Sequence, residues 1–90
     1  MPTASAQVVI QNPLGLHARP AMAFVDAANG FAAQVRVIKD DQKVDGKSIM
    51  QLMMLAAVQG TSLTVEAEGD DAEAAVSELS EMLNSATEPA

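Results

Sequence analysis

A chain of 90 residues with 49% apolar and 19% charged side chains is long enough for one hydrophobic core and too short for a second, so one domain over 1–90 is expected, with its chemistry on the surface. A net charge of −7 and only two aromatic residues, both Phe, exclude the basic, base-stacking footprint of a nucleic-acid-binding protein. With no cysteine and one histidine, disulfide frameworks, thiolate metal sites and multi-histidine clusters are excluded, and no metal or cofactor is expected.

Ala6 to Ile10 is a short β-prone run, ended by Gln11-Asn12-Pro13, where proline removes a ladder donor. After Leu14-Gly15-Leu16, residues Ala18 to Asn29 set Ala21, Phe24, Val25 and Ala28 at i, i+3, i+4 and i+7, which predicts an amphipathic helix stopped by Gly30. Ala33 to Lys39 alternates Val35 and Val37 against Gln34 and Arg36. It turns at Asp40-Asp41 and returns through Gln42 to Val44 as a hairpin. Ser48 followed by Gln51 is a capping-box signature and predicts a helix reaching about Val58, before Gly60.

Thr61 to Glu68 alternates Leu63, Val65 and Ala67 with Thr64, Glu66 and Glu68, the pattern of a strand with one wet face. Past Gly69, Asp70 and Glu73 form a second capping pair. Ala72, Ala75, Val76, Leu79 and Leu83 then mark the buried stripe of a last helix, with a frayed tail from about residue 85. The order β-α-β-β-α-β-α satisfies the layer rules as an α+β open-faced sandwich, one sheet face covered by helices and the other wet. The longest apolar run, Leu52 to Val58, is too short to cross a bilayer. The start of the chain also lacks the basic-then-apolar pattern of a leader, so a cytoplasmic protein without membrane insertion is expected, acting as a monomer.

No acidic residue precedes Asp26, and in that segment His17-Ala18-Arg19-Pro20 stands where the first helix begins, with Pro20 suited to a first turn. The N–H groups of Ala18 and Arg19, the positive end of the helix dipole and the Arg19 guanidinium are expected to converge near the His17 ring and make an anion pocket. That pocket suits a phosphoryl group carried on the imidazole. The competing reading makes His17 a helix cap and Arg19 a solvated side chain.

Gly15-Leu16-His17-Ala18-Arg19-Pro20-Ala21 and Lys47-Ser48-Ile49-Met50 resemble the two signatures of HPr, the histidine phosphocarriers of the phosphoenolpyruvate-dependent phosphotransferase system (PTS). The similarity runs from the first strand to the last helix. It implies a four-stranded antiparallel sheet of order 1-4-2-3 covered on one face by three helices. It also implies phosphorylation of His17 on a ring nitrogen by Enzyme I, contact of Arg19 with the phosphate, and onward transfer to enzyme IIA domains in sugar uptake.

Gly46 to Met50 resembles the regulatory serine site of relatives that are substrates of HPr kinase/phosphorylase, with Ser48 the modified residue; a plain helix cap explains Ser48 equally well. The segment Ile49 to Val58 carries one polar residue, Gln51, so a two-layer domain cannot bury all of it. Leu52 and Leu55 are expected in the core, and Met54 as core filler. Ile49, Met50 and Met53, with Met22 of the first helix, are expected as an exposed patch, where the family docks its partners.

Leu52-Met53-Met54-Leu55 is similar to the nitrogen-related paralogues, which leaves a nitrogen-branch carrier open as the alternative. A purely regulatory binding module using Ser48 and the methionines is a further one. A free-standing enzyme finds no support, for there is no acid–base pair near His17 and no glycine-rich nucleotide loop.

Overall fold

The alternation of Leu63, Val65 and Ala67 with polar neighbours places them on the inner face of β4 (Ser62–Glu68), where all three are buried. The computed structural model of the protein describes residues 1–84; the tail expected to fray from about residue 85 lies outside the described residues. Around β4 stand β1 (Thr3–Val9), β2 (Gln34–Lys39) and β3 (Gln42–Asp45) in the order β1-β4-β2-β3, every pair antiparallel. The helices α1 (Ala18–Ala28), α2 (Ile49–Met54) and α3 (Ala72–Asn84) cover one face, which makes the expected open-faced α+β sandwich.

The core is the meeting of three patterns. Val8, Val35, Val37, Val44, Leu63 and Val65 come from the sheet. Ala21, Phe24 and Ala28 come from α1, and Ala75, Val76, Leu79 and Leu83 from α3. Val25, on the edge of the α1 stripe, is partly buried against this cluster. On the wet face, Arg36 stands opposite Glu66 in the register; its Nε lies 2.8 Å from Glu66 Oε1, and its other arm lies 3.3 Å from Glu68. The hydrogen bond that Arg36 donates to Glu66 holds the guanidinium pKa above its ordinary value. At the surface such a pair contributes only about 0.2–1 kcal/mol.

Several boundaries differ from the sequence reading, each for a tertiary reason. β1 starts at Thr3 rather than Ala6, because Ala4 and Ala6 continue the inner row against β4, and it ends at Val9. Helix α2 ends at Met54 rather than near Val58. After its cap Leu55, Ala56 takes φ +50, and the N–H groups of Leu55 and Ala56 fall back on the carbonyls of Leu52 and Met53.

The capping pair expected of Asp70 and Glu73 does not form the start of α3. The helix follows Asp71, whose own carbonyl accepts the N–H of Ala75. The Asp71 side chain accepts instead from the N–H groups of Ala32 (2.9 Å) and Ala33 (2.8 Å), across the molecule. Those bonds, Ala32's foremost, pull the Asp71 carboxyl pKa below its ordinary value. Lys47 Nζ donates to the Phe31 carbonyl at 2.8 Å, so the segment between α1 and β2 is held from two sides.

Candidate functional site

His17 occupies the N-cap position of α1, with φ −109 and ψ −174, and its carbonyl accepts the first helical bond from Ala21. Its side chain makes no capping hydrogen bond to its own helix, so the cap reading does not describe what the imidazole does. The N–H groups of Ala18 and Arg19 have no acceptor within the helix, and Pro20 brings none to satisfy. With no acidic residue in the first turn, the helix start has the polarity that favours an anion. Ala18 and Arg19 are exposed and the histidine is half-buried.

The ring meets Asn12, a residue whose sequence context, Gln11-Asn12-Pro13, marks only the end of a strand. Asn12 is 3% exposed, the only buried polar side chain among the described residues. Its Oδ1 accepts the Leu14 N–H at 3.0 Å and its Nδ2 lies 3.3 Å from His17 Nε2. Because the Leu14 N–H can only donate, the amide oxygen must face it, which turns the amide nitrogen toward the imidazole. Among the described residues the cleft around Asn12 is lined by Ile10, Gly15, Leu16, Pro20, Met82 and Leu83, none of which brings another polar side chain. A polar group left unsatisfied in such surroundings costs about 1–3 kcal/mol. The Asn-Pro pair was a legible turn signal; its reach to a histidine five residues on was not.

The loop carrying the histidine is braced against the exit of α2. Leu16 N–H donates to the Ala57 carbonyl at 2.8 Å, and Gly15 N–H to the Asn12 carbonyl at 2.8 Å. Gly15 takes φ +71, and a Cβ there would lie 2.5 Å from the Ala57 oxygen. Only glycine combines that φ with so close an approach.

Ser48 begins the other helix. Its Oγ accepts the Gln51 N–H at 3.2 Å, one half of the expected box, while Gln51 Oε1 reaches past it to the N–H of Asp45 at 2.9 Å. The methionine patch is exposed much as expected, with Met22 57%, Met50 76% and Met53 39% accessible. Two assignments change. Ile49 is half-buried, because its place at the first position of α2 packs it against the core. Met54, expected in the core, is 67% exposed, since the helix ends there and Leu52 and Leu55 already fill the inner side. Among the described residues no group of three or more Asp, Glu or His side chains could hold a metal, and no helix is long and apolar enough to cross a membrane.

The family described as PTS HPr component phosphorylation site matches residues 4–85. The chain is 47% identical over 79 residues to a phosphocarrier protein HPr of Pseudomonas aeruginosa, an alignment covering 87% of this chain and 88% of that one. It is 46% identical over 77 residues to one from Neisseria meningitidis serogroup A, covering 86% of each. A solved phosphocarrier protein HPr from Bacillus anthracis superposes with a TM-score of 0.85 at 40% identity, over 90% of this chain and 96% of the other.

Proposed function

The chain belongs to the HPr family, the phosphocarriers of the phosphotransferase system, and on that premise we propose that His17 is the residue that takes the phosphoryl group, from phospho-Enzyme I, and yields it to enzyme IIA domains. The observation that carries this reading is the uncapped start of α1, where the imidazole stands beside N–H groups that its side chain does not satisfy. In transfer, the bond between phosphorus and the donor breaks as the bond to an imidazole nitrogen forms, and the imidazole proton leaves to the departing group. The accepting nitrogen is Nδ1, because Nε2 is held against a buried amide that a phosphoryl group there would displace.

The Ala18 and Arg19 N–H groups and the Arg19 guanidinium receive the phosphoryl oxygens. A helix terminus stabilises an exposed negative charge by about 0.3–1 kcal/mol, a hold weak enough for a carrier that must release its load. We take the carrier to act as a monomer. Met22, Met50 and Met53, with a half-buried Ile49, form the docking surface, where unbranched side chains adapt to more than one partner. Ser48 is the regulatory position, a substrate for HPr kinase/phosphorylase. The pathway served is sugar uptake in the cytoplasm; the alternative, a nitrogen-related carrier, draws on Leu52-Met53-Met54-Leu55.

Intact-mass measurement after mixing the chain with Enzyme I and phosphoenolpyruvate tests this. The expected result is a gain of one phosphoryl group that brief acid treatment removes and that His17→Ala abolishes without loss of helical signal. No gain, with an Enzyme I active on another carrier, would leave the regulatory binding module as the better reading.

A further inference from the structure

We propose that Asn12 is a positioning residue for the phosphohistidine, fixing the ring through Nε2 and lengthening the life of the phosphoryl group carried on it. The inference rests on the reading of His17 as the acceptor. Three facts combine: Asn12 is almost wholly buried, its Oδ1 is committed to the Leu14 N–H, and its Nδ2 is 3.3 Å from His17 Nε2. An amide nitrogen with its hydrogens can only donate, so Nε2 accepts and the neutral ring carries its proton on Nδ1. Nδ1 attacks phosphorus from the minor tautomer, in which the proton has moved through solvent to Nε2; that proton leaves to the departing group on transfer, and Nε2 of the phosphorylated ring is again an acceptor for the Asn12 N–H.

The consequence lies in the phosphorylated state. A phosphoimidazole loses its phosphoryl group to water more readily once its other nitrogen is protonated, because a neutral imidazole is then the leaving group. A proton on Nε2 would confront the Asn12 N–H, and the amide cannot turn its oxygen to accept that proton because Oδ1 is committed to the Leu14 N–H. The charged side chain in the adjoining first turn is Arg19, which adds no acceptor, and α3 contributes Met82 and Leu83 to the cleft. Asn12 therefore holds the carried group in its less labile form until a partner's site takes over.

Asn12→Asp is the deciding variant. It keeps an oxygen for the Leu14 N–H and replaces the donor facing the ring with an acceptor. In the unphosphorylated protein at neutral pH, 15N spectra of the His17 ring should report mainly the Nδ1–H tautomer in the wild type and a reversal to Nε2–H in Asn12→Asp. Asn12→Ala should lose the preference. In the phosphorylated protein, Asn12→Asp should shorten the half-life in water about tenfold, the change expected from converting one charge-assisted contact. Equal tautomer ratios in all three proteins, or equal half-lives, would overturn the proposal. A wild-type chain that takes no phosphoryl group would sink the carrier reading of His17, while the tautomer ratios would still decide whether Asn12 sets the ring.

Discussion

At the C-terminal end of α1 the chain is tied down by Asp71 on two N–H groups and by Lys47 on the Phe31 carbonyl, whereas at its N-terminal end Ala18 and Arg19 are exposed and the Asn12 amide meets the histidine at Nε2. The middle is fixed by Phe24, 1% exposed in the core. A helix secured by its middle and its far end has no need of a side-chain cap at its near end, and its first N–H groups stay available to an anion. Stability and reactivity are thus divided along one eleven-residue helix.

The largest blow to this division is Phe24→Ala. Removing the ring should cost about 3–5 kcal/mol of stability, seen as a lower midpoint in denaturant, while phosphoryl gain by the folded fraction stays at the wild-type level. If the variant stays folded and loses phosphoryl acceptance, the two ends are not independent. Gly15→Ala probes the other side. The left-handed φ and the contact with Ala57 should cost about 1–3 kcal/mol, and the displaced loop should slow phosphoryl gain more than any core change of equal energy. Ser48→Ala removes the cap of α2 and should cost about 1 kcal/mol, read in thermal unfolding, without affecting phosphoryl gain at His17.

The smallest effect sharpens the comparison at the tied end. Since the folded-state pKa of Asp71 is depressed, its stabilisation is fully present above the ordinary carboxylate value of about 4 and is lost as pH falls through the lower folded value. Asp71→Asn should therefore melt below the wild type at neutral pH and converge with it in acid. A gap that persists unchanged at about pH 2 would mean that the carboxylate charge has no part in the latch.

What could be read from the residues follows how local the cause is. The alternation of β4 and the stripe of α3 are statements about one element facing one core, and every inward residue named for them is buried. The run Leu52 to Val58 gave no internal sign of where α2 ends, because the break at Ala56 depends on a loop some forty residues earlier that takes the Ala57 carbonyl. The expected Asp70–Glu73 capping pair failed for the same reason: the residue before α3 is Asp71, whose carboxylate is spent on residues 32 and 33 rather than on its own helix. In the site, His17 and its helix start were legible from an acid-free stretch and a proline. The grip of Asn12 was not, because a turn residue's free amide can point anywhere until the fold chooses.

The position of β4 between β1 and β2 has a consequence for how the protein comes into being. The β2–β3 hairpin can zip as soon as it is made, but Thr3 finds its partner only at Glu68, so β1 must wait while most of the chain is synthesised. Contacts this distant in sequence are the slow ones to close. The bond from Ile10 to Thr61 and the brace from Leu16 to Ala57 close with them. A nascent chain that has passed residue 21 already contains the whole histidine signature, yet it has no pocket; the site is assembled late, by the same strand that completes the sheet.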